Sequence, residues 1–204
     1  MNNPMLILPG GRLCRAIAAL LCAYLISSAA FAAPLADNLD QLMAQLKLRQ
    51  HGHVLFTERH LTSVLDRPLE SSGELFYDAP DRLEKRTTKP RSERLVLENG
   101  QLNFERHHKA YHVALADYPQ AAPYIDSIRA TMAGDRPALE RVFRVAFSYS
   151  GADWILALTP LDLHLAGELT AIRIEGSSAA IRTVTVQWVN GDRSVMTLSA
   201  LLDP

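Results

Sequence analysis

An α+β domain dominated by one strongly curved antiparallel sheet is the fold class that the sequence predicts, and three observations predict it. About nine or ten segments alternate apolar and polar residues with a period of two. Short turn-forming stretches join them, so sequential neighbours pair antiparallel. Helical spacing is confined to one stretch before the strands and one in their middle. A sheet that large must curl, and one of its faces must be covered.

Ahead of this domain, Arg12 and Arg15 are the only charges before Asp37, and an apolar run from Ala16 to Ile26 follows them. Such a run is too short to span a bilayer comfortably, but it suits a secretory signal. Ala30-Phe31-Ala32 supplies the small-x-small pattern for cleavage after Ala32. Residues 1–32 are therefore expected to be a cleavable signal peptide, and residues 33–204 a single domain working in the periplasm. Cys14 and Cys22 both lie in the removed part, which leaves the domain without thiol or disulfide chemistry.

The first element of the domain is a helix. Leu35, Leu39, Leu42, Met43 and Leu46 recur at helical spacing with polar residues between them. From His51 the period changes to two. Val54 and Phe56 alternate with Leu55, Thr57 and Arg59; Leu75 and Tyr77 follow, then Leu95 and Leu97, and then Leu102 and Phe104. Glu98-Asn99-Gly100-Gln101 between the last two is a hairpin turn. Tyr111, Val113 and Leu115 complete this first group of strands.

Pro119 and Pro123 then interrupt the alternation. Ile125, Ile128 and Met132 share a helical face that Gly134 terminates, and Asp135 with Pro137 opens a second helix carrying Leu139 and Val142. Strands resume with Phe143, Val145, Phe147 and Tyr149, turn at Ser150-Gly151-Ala152-Asp153, and continue through Trp154, Leu156 and Leu158. Three more run over 169–174, 181–189 and 195–201. Helices laid across the concave wall would cover its mouth, and such a shape can hold a ligand.

Charge and motif content narrow the function. The formal net charge is −1, with no concentrated positive surface, which argues against a nucleic-acid partner. No Gly-x-Ser-x-Gly elbow, phosphate loop or thiol nucleophile is present, so no catalytic residue is assigned and no enzyme is expected. All seven histidines lie beyond residue 32. His108 and His112 sit on one strand face about 13 Å apart, too far for a shared metal. His51 and His53 are strand-spaced without a third ligand beside them, and a surface histidine pair is expected in place of a metal site. The charged run Arg82, Glu84, Lys85, Arg86, Lys89, Arg91 is either a solvated strand edge or a docking patch for an acidic partner or lipid headgroup.

Gly73-Glu74-Leu75-Phe76-Tyr77-Asp78-Ala79-Pro80-Asp81-Arg82-Leu83, with Pro90, Glu93, Leu95-Val96-Leu97 and Asn99-Gly100-Gln101-Leu102 after it and Phe56-Thr57-Glu58 before it, resembles the core of the LolA-like periplasmic lipoprotein carriers. The resemblance implies an unclosed antiparallel β-barrel with an apolar hollow and a helical lid. It also implies acylated lipoprotein or acyl-lipid cargo, passed from an inner-membrane exporter to an outer-membrane acceptor by a monomer without cofactor. Ala79 stands where LolA proper usually has Arg, and the chain stops at Pro204, soon after its last strand; both departures imply a divergent relative. Some such relatives accompany clusters that make aryl polyenes or other acyl lipids.

The candidates for lining the hollow are Phe56, Leu75, Tyr77, Leu95, Leu97, Phe104, Phe143, Val145, Phe147 and Trp154. Periodicity assigns them a face, and that face is either filled or hollow. Two function classes stay open: an acyl-cargo carrier, and a non-catalytic envelope interaction module or accessory subunit of an acyl-lipid or aryl polyene pathway.

Overall fold

Helix α1 spans Asn38–Lys47 and leads into β1 (His51–Leu61), β2 (Leu69–Asp78), β3 (Arg82–Lys89), β4 (Glu93–Glu98), β5 (Gln101–Arg106) and β6 (Lys109–Ala114). A 3₁₀ turn at Leu115–Asp117, α2 (Ala122–Met132) and α3 (Arg136–Val142) follow. The chain continues through β7 (Phe143–Ser150), β8 (Asp153–Pro160), the short α4 (Leu163–Ala166), β9 (Leu169–Ser177), β10 (Ala180–Trp188) and β11 (Arg193–Ala200). This computed structural model describes residues 38–106, 109–117 and 122–200. The expected signal peptide over 1–32, together with His107 and His108, lies outside the described residues.

The eleven strands among the described residues form one antiparallel sheet in the order β6-β5-β4-β3-β2-β1-β11-β10-β9-β8-β7. β1 pairs with both β2 and β11, so the first strand is the central one. β6 and β7 form the two edges and the sheet does not close, giving an unclosed barrel. The connection from β6 to β7 must pass from one edge to the other, and α2 and α3 lie in that connection. Topology alone therefore sends these helices across the sheet. α2 packs Ile125, Ile128 and Met132 against Leu83 of β3, Leu97 of β4 and Leu115.

The strand beyond the expected nine or ten is β3. Its sequence, Arg-Leu-Glu-Lys-Arg-Thr-Thr-Lys, has one apolar residue and gives little hydrophobic alternation. Its charges are nevertheless sorted by face. Glu84 points to the convex side, where its carboxylate is fully buried beneath Arg82, Arg86 and Arg94. Arg94 donates from Nε to Oε1 at 2.7 Å and from Nη2 to Oε2 at 3.2 Å. Burial pushes the Glu84 carboxyl up, but hydrogen bonds from Arg94, Arg86 and Arg82 outweigh it and hold the group down at about 2. Arg82, Glu84 and Arg86 of the charged run thus join Arg94 in a structural network over the outside of β2 to β4, with Arg86 also stacked over Phe76 at 4.3 Å.

The two halves of the concave face differ. Over β7 to β9 it is solid: Leu156, Leu158, Ile172 and Ile174 have no exposed surface, and Val186 of the adjoining β10 is almost as buried. α1 adds Leu39, Leu42, Met43 and Leu46 to this core, and α3 adds Leu139. Trp154 lies flat over Gly176, where a Cβ would come within 2.2 Å of the indole, and its Nε1 donates to Ser178 O at 2.7 Å. Gly134 has φ of +63° at the end of α2, and a Cβ there would meet Met43 O at 2.1 Å, so glycine lets the helix end abut α1. Over β2 to β6 the buried apolar residues of this face are Tyr77, Leu83 and Leu97, with Leu115 of the 3₁₀ turn packed on the last two.

Candidate functional site

Register across the sheet builds the site. Val54 of β1 faces Leu75 of β2, Leu75 faces Lys85 of β3, Lys85 faces Leu95 of β4, Leu95 faces Phe104 of β5, and Phe104 faces Tyr111 of β6. Directly paired residues share a face, so these six side chains form one row across six strands of the concave wall. With strands about 4.8 Å apart, the row runs roughly 24 Å along the sheet, against the roughly 15 Å that one leaflet of a bilayer core spans.

Under α2 the row borders an apolar cavity of about 180 Å³. Val54, Leu75, Leu95, Val184, Met196 and Leu198 form its sheet wall, while Tyr124, Ile125, Ile128 and Met132 of α2 and Leu46 of α1 form its roof. That volume is below the roughly 300–1,000 Å³ of typical small-molecule pockets. A second hollow of about 610 Å³ lies open over β5 and β6, lined by Leu95, Leu102, Phe104, Tyr111, Val113, Arg106 and Lys109. Leu95 borders both, so the covered cavity and the open groove adjoin along a single row of side chains.

Lys85 is the one charge within that row. Its Nζ donates to Glu58 Oε2 at 2.5 Å and lies 4.8 Å from the centre of the Phe56 ring. Ser194 Oγ donates to Glu58 Oε1 at 2.6 Å. Burial pushes the Glu58 carboxyl up, but the Lys85 ammonium and the hydrogen bonds from Lys85 and Ser194 outweigh that and hold it below the usual carboxylate range. Burial, aided by the Glu58 charge, pushes the Tyr124 phenol of α2 well above its ordinary value. Arg49, between α1 and β1, is a second cation on the cavity wall.

The side chains expected from sequence fall into three groups. Leu75 and Leu95 border the covered cavity, and Leu95 and Phe104 border the open groove. Phe56, Tyr77 and Leu97 are on the same concave face but almost completely buried in packed surroundings. Phe143, Val145, Phe147 and Trp154 pack in or against the solid core of the other half. Sequence reasoning missed Lys85, Glu58, Tyr124 and the β10 and β11 residues Val184, Met196 and Leu198. A lysine between Leu83 and Thr87, in phase with the inward position, was the available signal for Lys85.

Three of the described histidines pair with ordinary neighbours. His51 Nδ1 is 2.9 Å from Asp78 Oδ1, His53 stacks on Phe76 at 4.1 Å, and the His112 ring is hydrogen-bonded to Asn103. Among the described residues no group of three or more His, Cys, Asp or Glu lies together as metal ligands would. No described helix is long and apolar enough to cross a membrane.

Residues 30–201 match the family described as outer membrane lipoprotein carrier protein LolA-like. The chain belongs to the LolA-like family. Solved structures similar to this LolA-like protein include a LolA superfamily protein from Nitrosomonas europaea, 11% identical over 82% of this chain and 93% of that one, with a TM-score of 0.42. A DUF1329 family protein from Desulfovibrio piger is 9% identical over 79% and 89%, with a TM-score of 0.43. The lipoprotein LppX from Mycobacterium tuberculosis is 10% identical over 79% and 93%, with a TM-score of 0.41. No curated protein matches the chain.

Proposed function

We infer that this LolA-like protein is a non-catalytic periplasmic carrier that binds the acyl chains of a lipoprotein or lipid-like cargo and moves them from the inner to the outer membrane. Membership of a lipoprotein carrier family supports a lipid- or lipoprotein-binding role. The observation that carries the reading is the apolar cavity between α2 and the sheet, adjoining an open apolar groove through Leu95. Leu75, Leu95 and Phe104 are the expected residues that contact cargo, with Val54, Ile128 and Leu198 beside them. Each methylene moved from water into such a site contributes about 0.8 kcal/mol, so an acyl chain supplies ample driving force without chemistry.

Release demands that the grip be reversible. The covered cavity admits part of a chain as it stands, and α2 must swing outward to admit the rest. Partners would be an inner-membrane exporter that loads the protein and an outer-membrane acceptor that unloads it.

Transfer between vesicles tests this. Donor vesicles holding a quenched, fluorescent acyl lipid are mixed with unlabelled acceptors, and the purified protein is expected to accelerate transfer in proportion to its concentration. A transfer rate indifferent to the protein contradicts the carrier reading and leaves the envelope interaction module in its place.

A further inference from the structure

We propose that the cargo carries an anionic head, a phosphate or carboxylate, which the groove over β5 and β6 holds between Arg106 and Lys109. The proposal rests on the carrier reading and specifies the class of lipid carried.

The geometry that points to it is a like-charged pair. Arg106 and Lys109 are direct cross-strand partners on the concave face, one position pair along from Phe104 and Tyr111 on that face. Both line the open groove. Two cations set directly opposite each other on a sheet repel, and nothing in hairpin geometry requires them there. Glu93 compensates one: its Oε1 lies 3.0 Å from Arg106 Nε. Lys109 has no carboxylate within ion-pair distance among the described residues, so the end of the groove carries a surplus positive charge.

The rest of the groove has the opposite character. Phe104 and Tyr111 stack with ring centres 6.4 Å apart, and half-exposed Tyr111 lies open to solvent above an apolar floor. A chain whose head sits at Arg106 and Lys109 meets these rings within roughly 7 Å, the distance between successive same-face positions of a strand. Past them it reaches Leu95 and the cavity under α2. Charge at the mouth and apolar surface leading inward match an amphiphile with an anionic head. A neutral head would desolvate the two cations without replacing their hydration.

The test compares three ligands with one chain length: hexadecyl phosphate, palmitate and 1-palmitoylglycerol. Their affinities are measured by calorimetry at low salt. The protein is expected to bind the two anionic ligands about tenfold tighter than the neutral one, the scale of one or two charge-assisted hydrogen bonds. In the Arg106→Gln/Lys109→Gln variant the preference disappears, because the two anionic ligands lose the affinity that set them above 1-palmitoylglycerol. Phe104→Ala weakens all three alike. Both positions are solvent-facing, and circular dichroism checks that the double variant folds.

Equal binding of the three ligands by the unaltered protein, or a preference surviving in the double variant, overturns the proposal. Inorganic phosphate competing as well as hexadecyl phosphate overturns it also, by making this a free-anion site. Failure of every ligand to bind overturns the carrier reading on which it rests.

Discussion

Lys85 Nζ lies 2.5 Å from Glu58 Oε2 on the concave wall, in the middle of an otherwise apolar path. A partly buried ion pair contributes little net stability against apolar replacements, but breaking one side of it leaves an uncompensated charge. Lys85→Met is expected to cost about 2 kcal/mol and Glu58→Leu/Lys85→Met much less, so urea denaturation should show a strongly non-additive cycle. The Glu58 pKa is depressed from 4.5, so the pair's stabilisation is present above that pH and fades as pH falls through the lower folded value. The Lys85→Met penalty should shrink correspondingly in acid. Additive single-variant effects contradict this arrangement.

Leu95 touches both hollows, so a larger side chain there should block the path. Leu95→Trp is expected to lower uptake of a fluorescent fatty-acid probe by at least about tenfold, with stability changed by less than about 1.5 kcal/mol because the ring enters existing space. Unchanged uptake places the acyl path elsewhere.

Leu158 makes the opposite case. It is fully buried between Val145 and Ile172 in the solid half. Leu158→Ala should destabilise by about 2–5 kcal/mol through lost burial and an added void, and lower the thermal midpoint while the remaining folded protein keeps its probe affinity. A large loss of affinity without loss of stability contradicts the division into a filled and a hollow half.

Glu84 anchors three arginines outside the barrel. Glu84→Gln removes the anion and is expected to cost about 2–3 kcal/mol at neutral pH. With its folded pKa lowered from 4.5 to about 2, the carboxylate stabilises above 4.5 and that contribution is lost as pH falls toward 2. Denaturation curves of the two proteins should therefore converge between those values. A gap independent of pH indicates that packing, and not charge, is what Glu84 supplies.

Much of this architecture was legible in the sequence. Alternation put Phe56, Leu75, Tyr77, Leu95 and Leu97 on the concave face, and Asp135, which accepts from Ala138 N at 3.0 Å, was readable as the cap of α3. β3 was hidden because its inward Leu83 and Lys85 alternate with Glu84 and Arg86, a pattern of charges on both faces that hydropathy does not register. The division between a filled and a hollow half was also hidden. Phe147 and Phe104 carry the same residue type in the same strand phase, yet one packs against the main core and the other lines an open groove. What separates them is the path of α1, α2 and α3 over the sheet, and that depends on which strands form its edges.

Carriage of acyl cargo in the apolar hollow is open to native mass spectrometry of protein purified from a periplasm without detergent, followed by lipid extraction. An additional mass is expected at defined stoichiometry, extracting as an acyl-bearing molecule and displaced by a fatty-acid probe. A single unliganded mass that takes up no added acyl probe would contradict it.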